Sequence, residues 1–156
     1  MPRYSLLISA LVVLLTACTP NGSYDDAEKF LEAHGWSIAG SVKESTVEIP
    51  YDLSPVSGTP PWAVLLELSK SVGLDFSDEA GKTVKILAYP VIDQEGRLEG
   101  DYDWAAALLV NQDGRIIGAW VTPIGTLGGS YSIEGKTLEE VTGLTWPAYW
   151  EMHSQE

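Results

Sequence analysis

Sulfur, histidine and positive charge are scarce in this chain, and each shortage excludes a class of protein. Cys18 is the single cysteine, so no disulfide forms within the chain, and an exported domain of this sequence must stand on its core. Histidine occurs only at positions 34 and 153, which with one thiol leaves too few ligands for a zinc site. Lysine and arginine number 9 against 22 aspartates and glutamates, for a net charge of −13. That balance excludes nucleic acid as a partner, because affinity there rests on neutralised phosphates. It equally excludes a basic face laid on anionic headgroups. Cations, neutral ligands or a basic protein surface are the partners it favours. Long apolar runs are also lacking. Residues 5–15, polar only at Ser5 and Ser9, reach about 16 Å as a helix at about 1.5 Å per residue, well short of a hydrocarbon core about 30 Å thick.

That short run has a different meaning. Arg3 precedes it and small residues follow, the order of a secretory leader. The sequence Leu15-Thr16-Ala17-Cys18 resembles the lipobox of bacterial lipoproteins, with leucine three places before the cysteine and small residues between. The resemblance implies that residues 1–17 are cut away and that a diacylglyceryl group is attached to the Cys18 sulfur. Two acyl chains hold where one is marginal, since each buried CH₂ contributes about 0.8 kcal/mol. The expected address is therefore the extracytoplasmic face of the cell membrane. Loss of Arg3 takes the side-chain charge from −13 to −14.

The composition of the full sequence, 45% hydrophobic and 20% charged, is that of one globular domain. Residues 18–24 form a lipidated polar tether, residues 25–143 the domain, and residues 144–156 an aromatic tail. A first helix is expected over 25–34, with Asp25 and Asp26 at its positive end, Ala27, Phe30, Leu31 and His34 on one face, and Gly35 closing it. Trp36 should pack back on Leu31. Residues 36–49 alternate as one or two strands bent near Gly40-Ser41, and the proline-rich stretch 50–61 is a loop. A second helix is expected over 62–72. Residues 82–92, 104–110 and 115–122 are β-rich, and Asn111-Gln112-Asp113-Gly114 joins the last two as a tight hairpin. Residues 104–110 are apolar on both faces, which marks a central, covered strand. Residues 123–135 read as a glycine-rich loop, and 137–142 as a short helix. The fold class is α+β: an antiparallel β-meander of three to five strands with two helices packed on it.

Several of these segments also carry a likeness. Phe30-Leu31, His34-Gly35-Trp36, Val47-Glu48-Ile49-Pro50, Gly73-Leu74-Asp75-Phe76, Gly81-Lys82, Tyr89-Pro90 and Gly114-Arg115-Ile116-Ile117-Gly118 resemble a family of small exported proteins of Gram-positive, often spore-forming bacteria. That family is known as a domain of unknown function. The resemblance covers about residues 26–122 and implies an exported address but no catalytic residue. Ala119-Trp120 stands where family members often carry Gly-Asp.

No catalytic constellation emerges. Cys18 is committed to the lipid, and no Gly-x-Ser-x-Gly elbow positions a serine. Asp93, Glu95, Glu99, Asp101 and Asp103 crowd one turn, with Asp101 and Asp103 the weak calcium candidates, yet the stretch departs from the calcium-loop pattern. No metal or cofactor is expected. Six tryptophans and seven tyrosines against two phenylalanines favour rings with a polar handle, suited to half-buried positions and binding faces. Trp36, Trp62 and Trp104 fall in patterned elements and are expected in the core. Trp120 can point either way, and Trp146, Tyr149 and Trp150 either fold back to cover the sheet or form an exposed patch. Trp120, Trp146, Tyr149 and Trp150 are the candidate partner-binding residues. The functional expectation is a non-enzymatic, membrane-anchored accessory or binding domain that meets a cell-surface protein or wall component. The alternative is a small cell-wall carbohydrate-binding or hydrolytic module using tryptophan and paired carboxylates. An acidic calcium-dependent module is a third.

Overall fold

Helix α1 shows how closely local chemistry sets the chain's course. The computed structural model describes residues 22–54, 58, 60–125 and 129–154, and α1 spans Gly22–Ala33, starting before the expected Asp25. Its C-terminus closes at Gly35, whose φ of 78° lies in the left-handed region. There Trp36 N–H donates to Leu31 O at 3.0 Å and Gly35 N–H to Glu32 O at 2.9 Å, the paired bonds of a Schellman cap. Leu31 and Trp36 share one buried cluster, as the sequence pattern requires. Leu15, Thr16, Ala17 and Cys18 lie outside the described residues.

The chain then enters the sheet. Strand β1 (Ser37–Ile38) and strand β2 (Lys43–Glu48) lie end to end along one edge of the later strand β3. The break between them faces Pro90, a residue of β3 with no N–H to offer; Ala39 N–H still reaches its carbonyl at 2.8 Å. Proline thus divides the edge into two pieces, where one or two strands bent near Gly40-Ser41 were expected. After β2 come helix α2 (Trp62–Lys70) and a 3₁₀ turn at Ser77–Glu79. Strands β3 (Thr83–Ile92), β4 (Trp104–Val110) and β5 (Ile116–Pro123) follow as antiparallel neighbours. The β4–β5 turn forms as its residues dictate, with Asn111 Oδ1 accepting from the N–H groups of Asp113 and Arg115. The two-residue strand β6 (Tyr131–Ser132), helix α3 (Leu138–Thr142) and helix α4 (Trp146–His153) complete the described chain.

The α+β class stands, and its details are corrected. The antiparallel sheet has six strands, and four helices occur among the described residues, where three to five strands and two helices were expected. The added strand, β6, interrupts the segment read as a glycine-rich loop, and α4 occupies the segment read as a tail.

Both faces of the sheet are covered, where the apolar β4 required cover on at least one. Leu87, Tyr89, Val91, Trp104, Ala106, Leu108, Ala119 and Val121 pack with Ala27, Leu31 and Trp36 of the α1 side. Val84, Ala107, Leu109, Ile117 and Trp120 pack with Val64, Leu65, Leu68, Leu138 and Tyr149 on the other side. A β-bulge sits where the register passes from Leu109↔Gly118 to Val110↔Ile116. The extra residue, Ile117, turns to the α2 side while Ala119 and Val121 keep the α1 side.

Helix α2 is seated against β5 by one hydroxyl. Ser69 is fully buried; its Oγ donates to Leu65 O at 2.7 Å and accepts from Ala119 N–H at 3.1 Å. Close by, a Cβ added at Gly118 would stand 2.8 Å from Phe76 Cδ1 and 3.1 Å from Leu109 Cδ1. Two substitutions test this contact. Ser69→Ala strands the buried Ala119 amide and is expected to lower stability by about 1–3 kcal/mol. Gly118→Ala overpacks the same seam at about 1–3 kcal/mol. Urea unfolding reads both as a lower midpoint with an unchanged slope.

Candidate functional site

Helix α4 divides the aromatic candidates. Pro147 occupies its first turn, where a missing N–H costs nothing. Tyr149 is 2% exposed and belongs to the α2-side core, whereas Trp146, Trp150 and Met152 are 46%, 38% and 52% exposed. The rings of Trp146 and Trp150 lie 6.0 Å apart between centroids, and Trp146 stacks on Tyr149 at 6.2 Å. His153 packs on Tyr149 from the last turn at 4.5 Å. Trp120 is also buried, in the same core as Tyr149. Of the four residues expected to meet a partner, Trp120 and Tyr149 are therefore corrected to core positions. Trp146 and Trp150 remain as an exposed aromatic pair; Met152 is exposed as well, on the other flank of buried Tyr149. Both faces of β5 are covered, so Trp120 is buried whichever face it presents.

Tyr149 hides a second feature. Its hydroxyl, like that of Tyr89 on the opposite face, is buried without a hydrogen-bond partner among the described residues. Burial, followed by the Glu67 carboxylate, pushes the Tyr149 phenol up to about 12. Burial, followed by Glu28, does the same to Tyr89, also to about 12.

The acidic turn between β3 and β4 is organised by an arginine. Asp93 Oδ2 accepts from Leu98 N–H at 2.7 Å, and Arg97 Nε lies 3.6 Å from Asp93 Oδ1 and 3.7 Å from Glu95 Oε2. The Arg97 guanidinium donates to His34 O at 2.8 Å and to Gly35 O at 3.3 Å, and it lies 3.9 Å above the Trp36 ring. Asp101 and Asp103 sit exposed farther along the same connection. Among the described residues no three His, Cys, Asp or Glu side chains converge to hold a metal. His34 is taken up locally, its Nδ1 2.8 Å from Phe30 O. In the glycine-rich segment, Thr126, Leu127 and Gly128 lie outside the described residues.

Beyond Arg97 runs a groove that no local sequence pattern announces. One hollow of about 630 Å³ is lined by Arg97, Glu99, Tyr131, Glu139 and Glu140 among others. A neighbouring hollow of about 420 Å³ is lined by Glu99, Tyr102, Trp104, Pro123 and Tyr131 among others. Tyr102 meets Trp104 edge-on, and Trp104 meets Tyr131 edge-on, each at 5.7 Å between centroids. Pairing of β5 with β6 brings Tyr131 opposite Val121, which is how residues from distant segments reach one surface.

Comparison with known proteins adds a family. The model of a domain of unknown function, DUF4830, matches residues 30–121, and the chain belongs to that family. The match runs from Phe30 in α1 to Val121 in β5, so β6, α3 and α4 lie beyond it. No curated protein and no solved structure matches the chain significantly.

The division of α4 is testable by stability alone. Trp146→Ala and Trp150→Ala are expected to change unfolding free energy by less than about 0.5 kcal/mol, whereas Tyr149→Ala costs about 3–5 kcal/mol. The two orphaned phenols give a pH signature. A raised folded-state value protects the native state below the unfolded value near 10 and ceases to do so as pH climbs toward 12. Stability should therefore decline between those limits, by at most about 3 kcal/mol per ring. A Tyr89→Phe/Tyr149→Phe variant should lose that part of the slope in alkaline denaturation while remaining at least as stable at neutral pH, since it discards two unpaired hydroxyls.

Proposed function

We propose that this protein is a lipid-anchored, extracytoplasmic binding domain that engages a cell-surface protein through the aromatic face of α4, without catalysing a reaction. The observation that carries the reading is α4 itself. It is fixed by a buried Tyr149 and yet holds Trp146, Trp150 and Met152 in solvent. A monomeric domain gains nothing by exposing three large apolar side chains on one short helix, whereas tryptophan is enriched among the residues that dominate binding energy. The leader of residues 1–17 and the lipobox-like Leu15-Thr16-Ala17-Cys18 support the address. No described helix is long and apolar enough to cross a membrane, so in this reading the attachment rests on the Cys18 acyl chains.

Two measurements test it. Cys18→Ser should move the protein out of the membrane fraction on cell fractionation; a wild-type chain that is already free of membrane, with its first residues intact, overturns the anchor. Separately, a photo-crosslinking residue at position 150 should yield a discrete protein adduct in intact cells. The same residue at exposed Asp26 serves as control, and equal labelling from both positions overturns the α4 surface.

A further inference from the structure

We infer that the groove between β6, α3 and the end of the β3–β4 connection binds an extended basic segment of a partner protein, with lysine or arginine side chains seated on Tyr102 and Tyr131 and paired with Glu99 and Glu139. This site shares no residue with α4 or Cys18 and goes beyond the reading above.

Shape comes first. The two hollows share Glu99 and Tyr131, so they form one furrow leading from Pro123 and Tyr102 to Glu139 and Gly143. Volumes of about 630 and 420 Å³ exceed what one ammonium ion fills, and they suit a peptide main chain whose basic side chains drop into successive hollows.

Chemistry comes next. Tyr102 is 51% exposed, and its edge contact with Trp104 leaves ring surface for a cation. Trp104 is buried and holds both tyrosines in place through edge contacts. Glu99 and Glu139 are exposed, and neither is in an ion pair with a described lysine or arginine. Arg97 lines the furrow, but its guanidinium is committed to the His34 and Gly35 carbonyls, the Trp36 ring and the Asp93 carboxylate. Lys136 is paired with Glu134 at 2.7 Å. Glu140 is occupied in accepting from Thr137 N–H. The furrow therefore presents aromatic faces and unneutralised carboxylates together, a combination that selects organic cations over metal ions and anions. The Tyr131 hydroxyl is held above its ordinary pKa, by burial first and then by Glu99, Tyr102 and Glu140, which agrees with a negative local field.

Calorimetric titration of the full-length protein with trilysine tests the assignment, with trialanine as the neutral comparison. Saturable binding of trilysine alone is expected, weakened by added salt. It should fall about tenfold in Glu99→Gln/Glu139→Gln, and by a similar factor in Tyr102→Ala. Asp26→Asn/Glu32→Gln removes the same charge from the exposed face of α1 and should leave the affinity unchanged. The inference is overturned by the absence of saturable binding. It is overturned equally if both charge variants weaken binding alike, which would reduce the effect to net charge. Choline displacing trilysine at equal concentration would replace the extended segment by a small cation and overturn the partner assigned here. None of these outcomes bears on the anchor or on α4, so the two readings fail separately.

Discussion

The Trp36 indole is the contact on which the arrangement of this molecule rests. It sits immediately after the cap of α1, 2% exposed, and its Nε1–H donates to Ile133 O at 2.7 Å, a carbonyl 97 residues later in the chain. Arg97 covers the ring from the other side and bonds the carbonyls that α1 leaves at its C-terminus. One ring thus ties the first helix, the β3–β4 connection and the hairpin after β6. A buried indole N–H must find an acceptor, and a positive group is favoured where helix carbonyls end. Closeness is demanded around it: a Cβ on Gly135, at φ 81°, would stand 2.9 Å from Arg97 Cβ. The furrow lined by Arg97, Glu99 and Gly135 is therefore formed by the same contacts that fix α1.

The opposite face depends on a complementary device. There the sheet's outer strand β6 is only two residues long, so most of β5 has no strand beside it on that side. Ser69 supplies the missing acceptor at Ala119, and α2 runs along β5 instead of a further strand. This covers an edge that would otherwise be open to other chains. The bulge at Ile117 serves the same seam, turning an additional apolar side chain toward α2. Helix α3 then follows a complete capping box between Thr137 and Glu140 and ends at Gly143, which directs the chain into α4.

Much of the fold was legible from local signals, and the exceptions have one physical origin. Strands β3, β4 and β5 fall within a residue or so of the β-rich runs, because alternation and the Asn111–Gly114 turn are local properties. The end of α1 was likewise legible in Gly35 and Trp36. What stayed hidden depends on contacts between distant segments. Counting by twos along β5 places Ile117 with Ala119 and Val121, and only the bulge against β4 separates them. Strand β6 is too short to stand out from a glycine-rich stretch. Tyr149 is core because α2 lies beneath it, a fact that Trp146-Pro147-Ala148-Tyr149-Trp150 does not contain. The furrow is the extreme case, since Glu99, Tyr102, Trp104, Tyr131 and Glu139 meet only after β4, β5 and β6 have paired. Cys18, by contrast, was read wholly from sequence and lies outside the described residues.

The proposed anchor and the proposed groove impose a geometry on one another. At the start of α1, the Tyr24 hydroxyl donates to Glu44, which also pairs with Lys85 at 3.0 Å. This holds the beginning of the helix over the Lys85↔Val110 end of the β3–β4 pair. The groove's Trp104 lies opposite Val91, at the other end of that pair, six residues or about 20 Å along the strand. Cys18 precedes Gly22 by four positions, a reach of about 14 Å at most. An acyl chain on Cys18 would therefore draw the Tyr24 end toward the bilayer and leave Tyr102, Tyr131 and Glu99 facing outward. The mature chain carries a side-chain charge of −14 in that reading, so anionic headgroups repel the domain as a whole and the acyl chains alone hold it. A groove selective for basic segments would then open away from the membrane, where a segment of another surface protein can reach it without displacing lipid.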